Sequence, residues 1–421
     1  MRRTIFGSAA SVLALVTASG VAAQDASEGA DGAAQAEPDE IIVTAERRRT
    51  SVQDTPLALS VLDGEALRQG GNQGLTELAQ KVPSLSFAQS FGIAQIFIRG
   101  VGNNFFSPGG DPGVATYADG VYLSDQEATA VAFLDLERIE LLRGPQGALY
   151  GRNATGGAVN LVSAAPTDSF EGRVGVQLGD FGRVQGDAVL SGPLGGGVTA
   201  RASVQYRRLG GFTRNELADT AGARERGDGE DSLAGRLQLA VPVGAGRLLL
   251  TATGYTQNDA GPALKILADP FPHPAELLFG VRPSADPRSF KSQGGENRRE
   301  VWSVTGRLEQ PVGGAELVVI ADTRGSDRLI TYDQDGTERS VSTTTLDTDS
   351  TQSSLEAYVQ GTSGGLDWLA GATWLRFRQS RATLVDGVLP AAFLNPALPV
   401  TQPFPFAFAG GGTVTTEALA A

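Results

Sequence analysis

The chain has 421 residues and carries 34 Lys and Arg against 47 Asp and Glu, a formal net charge of -13. That balance lacks the basic footprint that nucleic-acid phosphates require, so no nucleic-acid partner is expected. There is no cysteine and one histidine, His273 in the run PFPHP, so disulfide scaffolds, thiolate metal sites and paired-histidine zinc or haem sites are not expected, and neither is a cofactor.

The N-terminus reads as an export signal over residues 1–23. Arg2 and Arg3 precede an apolar stretch softened by Gly, Ser and Thr, and Val21-Ala22-Ala23 offers small residues for cleavage before Gln24. As a membrane anchor the stretch is short and has no basic residues on its far side. A linker over 24–49 follows. Its first part is Ala, Gln, Asp, Glu and Gly with almost no large apolar side chain, a composition that predicts disorder. Within it stands Glu40-Ile41-Ile42-Val43-Thr44-Ala45, followed by Arg47-Arg48-Arg49. Successive β-branched residues beside a disordered linker predict an exposed strand open to a partner sheet.

Residues 50–165 read as a small mixed α/β domain. Residues 57–62 are strand-like, and Asp63 is placed to cap a short helix through Leu67. Leu75, Leu78 and Ala79 share one helical face, and Pro83 ends it. Residues 95–99 alternate as a strand. Asp119-Gly120 between alternating segments predicts a hairpin over 116–122, and residues 137–142 alternate as a further strand. The segment 138–160, RIELLRGPQGALYGRNATGGAVN, comes next. Its glycines demand tight turns and left-handed backbone, and it lacks the Gly-Lys-Ser/Thr of a phosphate-binding loop.

That string resembles the end of the plug domain of TonB-dependent outer-membrane receptors. The likeness is carried by Arg143, Gly144, Pro145, Gly147, Tyr150, Gly151, Arg152, Asn153, Gly156, Gly157 and Asn160, and upstream by Arg99, Gly100, Asp119 and Gly120. The resemblance implies a plug over 50–165 and a TonB box at about 40–46. The inner-membrane TonB complex would pair its sheet with Glu40–Ala45 and pull, and little room remains before that box for an extra periplasmic signalling domain. It also implies that the loop over 100–113, with Asn103, Asn104, Phe105 and Phe106, rises toward a ligand; those aromatics could equally pack against a barrel wall. Glu137, Arg138, Glu140 and Arg143 are then plug residues facing a polar lumen rather than an acid/base set.

From residue 171 onward about nine segments of roughly ten residues alternate apolar and polar side chains, the length of a tilted membrane-spanning strand. They begin with Val174, Val176 and Leu178 on one face, then Val184, Gly186, Ala188 and Leu190, then Val198, Ala200, Ala202, Val204 and Tyr206. Connections alternate between short Gly- and Pro-rich turns and long loops at 208–230, 258–297 and 325–350, the parity of an outer-membrane barrel. A soluble sandwich has no reason to keep it. The fold expected is thus an antiparallel transmembrane β-barrel over 166–421 behind a small α/β plug. Plugged transporters of this kind use about 22 strands, which predicts that only the N-terminal part of the barrel is present. A tenth strand begins near 413.

The function implied is a receptor in outer-membrane lipid that imports a scarce large solute. An iron–siderophore complex leads, with cobalamin, haem or oligosaccharide as alternatives, and a non-transporting receptor remnant or structural envelope protein as the rival. No Ser/His/Asp set around the lone histidine suggests an enzyme.

Overall fold

A computed structural model describes residues 42–43, 50–51, 53, 57–69, 79, 82–90, 93–103, 112–125, 133–218, 225–265, 276, 280–282, 284–292, 295–334, 336–338, 342–390 and 403–420. The expected export signal, His273, Leu75 and Leu78 lie outside them, as do Glu40, Ile41, Thr44, Ala45, Asn104, Phe105 and Phe106.

The plug is built on a five-stranded sheet in which Leu59–Asp63 is one edge, followed by Leu136–Arg143, Gly157–Ser163, Val114–Ala118 and Val121–Tyr122. One neighbour pair is parallel: Gly157–Ser163 runs beside Val114–Ala118. The expected hairpin is present. Asp119 and Gly120 both take positive φ, 51° and 86°, as a two-residue turn between right-twisted strands requires. The expected cap is present too: Asp63 Oδ1 accepts from the Ala66 amide at 2.8 Å at the start of helix Gly64–Gln69. Two packed groups fill the plug. Ile98, Ile139, Leu141 and Leu161 belong to one, and Ala115, Leu142, Tyr150 and Ala158 to the other. A separate sheet joins Leu85–Ser90, Ile93–Ile98 and Val101–Gly102.

Ten antiparallel strands follow in sequence order. The first to fifth are Glu171–Gly179, Arg183–Gly195, Val198–Leu209, Glu230–Val243 and Gly246–Asp259. The sixth to tenth are Gly295–Val312, Ala315–Asp333, Ser342–Ser363, Leu366–Pro390 and Pro403–Ala420. The nine expected strands and the tenth are present, the tenth beginning at Pro403, ten residues ahead of the expected start near 413. The expected loop over 325–350 is largely strand, because the seventh and eighth strands pair continuously from Ala315↔Gly361 to Asp333↔Thr343. Even strands turn into odd ones through tight Gly turns. Gly196-Gly197, Gly313-Gly314 and Gly364-Gly365 each hold two consecutive residues at φ between 56° and 85°, which a side chain would resist.

The sheet is inside-out relative to a soluble protein. In the fourth strand Ser232, Ala234, Arg236 and Gln238 are buried, whereas Leu233 and Leu237 are 49% and 58% exposed. In the first, Val174, Val176 and Leu178 are exposed. Apolar residues outward and polar residues inward is the alternation of a strand with lipid on one side and a polar lumen on the other. None of the described helices is long and apolar enough to cross a membrane.

Candidate functional site: the plug and its seat in the sheet

The glycine-rich segment makes the plug's central turn. Arg143 ends its strand opposite Gly157, its amide donates to Ala58 O at 3.0 Å, and its Nη2 reaches Leu59 O at 3.4 Å. Gly144 (φ 98°) donates to Gly156 O at 3.0 Å, and Gln146, after Pro145, donates to Ala154 O at 2.9 Å, so the segment folds back on itself. A single helical turn, Gly147–Tyr150, ends at Gly151 (φ 68°). Arg152 and Asn153 form the next turn, and Asn153 Nδ2 donates to Tyr122 Oη at 2.7 Å. Gly156 and Gly157 lie where backbone passes backbone. A Cβ on Gly156 would sit 2.7 Å from Val101 O, and one on Gly157 2.1 Å from Leu142 O.

The other signature residues close the same core. Arg99 (φ 52°) and Gly100 (φ 78°) make the turn after Ile93–Ile98, and the Arg99 amide donates to Ser84 O at 2.8 Å. Asp119 accepts from Ser163 N and Ser163 Oγ, both at 2.8 Å, tying the hairpin to the last plug strand. Asn160 Nδ2 donates to Glu140 Oε2 at 3.0 Å, and Arg138 Nε to Glu140 Oε1 at 2.8 Å. Glu140 is wholly buried and these partners belong to the plug itself, whereas the sequence suggested a residue facing the lumen. The segment thus acts through backbone shape and buried pairing. Ile42–Val43 pairs with Thr50–Ser51 in a two-residue antiparallel ladder, so this part of the expected exposed strand has a partner within the chain. Asn103 is half-buried.

The seat of the plug was not foreseen. Asp125 Oδ2 accepts from Ser326 Oγ and Ser350 Oγ of the seventh and eighth strands, both at 2.5 Å. Gln352 accepts from the Ser124 amide at 3.0 Å and donates to Tyr122 O at 2.7 Å. Val121 packs on Val318, Ile320 and Tyr358. Toward the early strands, Arg201 holds Asp135 through Nε at 2.6 Å and Nη2 at 2.9 Å, and Arg236 donates to Leu134 O at 2.5 Å. Arg173 adds a longer contact to Asp135, 3.3 Å. The available signal was polar and charged residues on the inward face of strands whose outward face is apolar.

At the long-loop end, residues from three connections meet. Thr213–Asn215 pairs with Arg226–Gly227 and with Ser289–Phe290. Glu216 accepts from Ser284 Oγ at 2.5 Å and Ser289 Oγ at 2.6 Å, while Lys291 lies 3.9 Å from Glu216 and 3.4 Å from Glu338. The two hydroxyl bonds, with Lys291 and Arg214 nearby, hold the Glu216 carboxyl below the usual carboxylate range. No group of His, Asp and Glu able to hold a metal ion occurs among the described residues.

The profile described as TonB-dependent Receptor Plug Domain matches residues 51–158. The pesticin receptor of Yersinia pestis is 32% identical over 166 residues, covering 38% of this chain and 24% of that receptor. The vitamin B12 transporter BtuB of Vibrio vulnificus is 29% identical over 192 residues, 43% of this chain and 29% of that transporter. The ferric yersiniabactin uptake receptor FyuA of Yersinia pestis superposes with a TM-score of 0.64 at 17% identity, over 86% of this chain and 61% of that one. The matched segment therefore spans only about a quarter of the curated relatives' length. The chain thus carries a TonB-dependent receptor plug domain over 51–158, and its inside-out sheet resembles in fold part of the barrel of solved receptors.

Proposed function

We propose that the chain works in the outer membrane as a TonB-energised receptor for a large scarce solute, with an iron–siderophore complex as the leading cargo. The observation that carries the reading is the pairing of a matched plug with a sheet whose lumen face is polar and whose outer face is apolar. A plugged barrel admits cargo only when work is done on the plug, and the outer membrane has no ATP supply of its own. Residues 40–45 are where that work enters: an extended segment pairs with a partner strand through backbone bonds, which tolerate many side chains. The cleavable signal at 1–23 delivers the chain to the envelope, the short Gly turns face the periplasm, and the long loops meet the solute outside.

The test is uptake of radiolabelled ferric siderophores by cells making the receptor, with and without TonB. Ile42→Pro removes a ladder donor. It should abolish accumulation above background while surface binding of the same complex stays within about twofold. Accumulation that persists in Ile42→Pro, or that ignores TonB, sinks the coupling. The likeness to a vitamin B12 transporter favours cobalamin as the second cargo to assay.

A further inference from the structure

The outer face of the sheet carries a line of exposed aromatic residues. On the third strand Tyr206 is the last ring before Arg208. On the sixth Trp302 stands below Glu300 and Arg298, and on the ninth Trp374 stands below Arg376 and Arg378. Each time, apolar alternation below gives way to charge above, as at the boundary between hydrocarbon and headgroups. The line does not follow the hydrogen-bonded rows. The row through Tyr206 passes Leu233, Thr256, Glu300, Asp327 and Asp349 and reaches Ser380, six residues beyond Trp374. Six residues at about 3.3 Å against six strand spacings of about 4.8 Å give a lean of about 35°, which matches the roughly 35–45° tilt of strands in a membrane barrel. Tyr206, Trp302 and Trp374 therefore mark one membrane surface, the one on the long-loop side.

Carried on to the first hairpin, the line comes out near its tip, because Leu178 and Val184 share the row of Arg208. That tip is Asp180-Phe181-Gly182, and Phe181 holds φ 58° and ψ 31°. Such left-handed backbone is free for Gly and tolerable for Asn, whereas a bulky side chain resists it. The ring gains no core in return. It is 56% exposed and lies edge-on to Phe212, itself 50% exposed, with centroids 6.3 Å apart. Exposure alternates without a break from Arg201 to Asn215, which keeps Phe212 and Arg214 on the side of Tyr206. Arg214 stands directly opposite Arg226 in a ladder pair, and both are exposed. Among the described residues neither guanidinium is in an ion pair, and nearby Glu216 is engaged by Ser284, Ser289 and Lys291. Like charges directly opposite weaken a ladder unless an anion lies between them.

We infer that this rim binds the headgroup of an outer-leaflet glycolipid, a sugar that bears phosphate. The rings of Phe181 and Phe212 lie against the sugar, and the Arg214–Arg226 pair takes the phosphate, for which the planar guanidinium is suited. The acyl chains run down the apolar outer face below Tyr206. The strained turn then holds Phe181 out in the headgroup layer, where an aromatic ring is at home. The inference rests on the outer-membrane placement proposed above.

The probe is an acylated glucosamine disaccharide with phosphate at both ends, titrated against the receptor as the cell makes it, purified in detergent, with bound lipid counted by native mass spectrometry. The same lipid stripped of phosphate should bind at least tenfold more weakly. Arg214→Gln/Arg226→Gln should weaken binding of the phosphorylated form at least tenfold. Arg376→Gln removes a cation at the same border that is already paired with Glu417 at 3.2 Å, and binding should stay within twofold. Phe181→Asn separates binding from folding: it should weaken binding at least threefold while raising the thermal unfolding midpoint, since Asn holds the turn more easily. Equal binding of the two lipids, or binding unchanged in either Arg214→Gln/Arg226→Gln or Phe181→Asn, overturns the inference. So does displacement of the lipid by millimolar inorganic phosphate, which would make the rim a site for the free anion, and so does a lowered midpoint in Phe181→Asn, which would make the ring structural. If the receptor does not fractionate with outer membranes, the placement fails, while the titration still decides the site.

Discussion

Gly157 and Gly144 sit in one motif and make opposite demands on a substitution. At Gly157 φ is 145°, and an added Cβ would lie 2.1 Å from Leu142 O and 3.0 Å from the Ile98 side chain, between two sheet strands that cannot move apart independently. Gly144 has φ 98° but nothing within 4 Å of the added carbon, so only backbone strain opposes it. Gly157→Ala should destabilise the plug by about 3–5 kcal/mol, and Gly144→Ala by about 1–2 kcal/mol. Protease susceptibility of residues 51–158 across a urea series separates the two, and equal midpoints would contradict the geometry. A glycine-rich string reads the same at both positions; only the neighbouring strand, contributed by residues far away in sequence, tells them apart.

Among elements, the hairpin at Asp119-Gly120 and the helix capped by Asp63 were legible because both depend on residues within a few positions. The early barrel strands were legible because lipid on one side and lumen on the other enforce alternation. The stretch 325–350 was not. It carries Ser, Thr and Asp on both faces where the seventh and eighth strands run beyond the apolar band, so the period-two signal vanishes although the backbone ladder continues. The contacts of Asp125, Asp135, Arg201 and Gln352 also escaped, since partners about 66 to 230 residues apart leave no local pattern. The loop cluster around Glu216 has a pH consequence. Because folding lowers that carboxyl's pKa, its contribution is complete above the unfolded carboxylate pKa and is lost as pH falls through the folded one. Acidification below about pH 4 should therefore expose the loops at 210–229 and 280–292 to an acid-active protease, and Glu216→Gln should flatten the dependence. Cleavage rates that do not change with pH in the unmutated protein would count against the cluster as the loops' tie.

For the whole molecule, the outward face is the decisive feature. Leu237 points away from the plug and is 58% exposed, while its neighbour Gln238 is buried toward it. In a bilayer Leu237→Arg should cost about 2–4 kcal/mol near the midplane, whereas in a water-facing sheet it would change little. Urea-induced unfolding from lipid vesicles measures the difference, and a cost near zero would remove the sheet from the membrane. The lengths of the strands carry a further consequence. The ninth strand has 25 residues, about 80 Å of extended chain at roughly 3.3 Å per residue, and a tilt of about 40° still leaves it roughly 60 Å tall against an apolar band of about 25 Å. On the proposed placement more than half of that wall stands clear of the lipid. Arriving cargo then meets protein well before it reaches the membrane plane, and its final approach follows the line of the wall instead of a search across the surface.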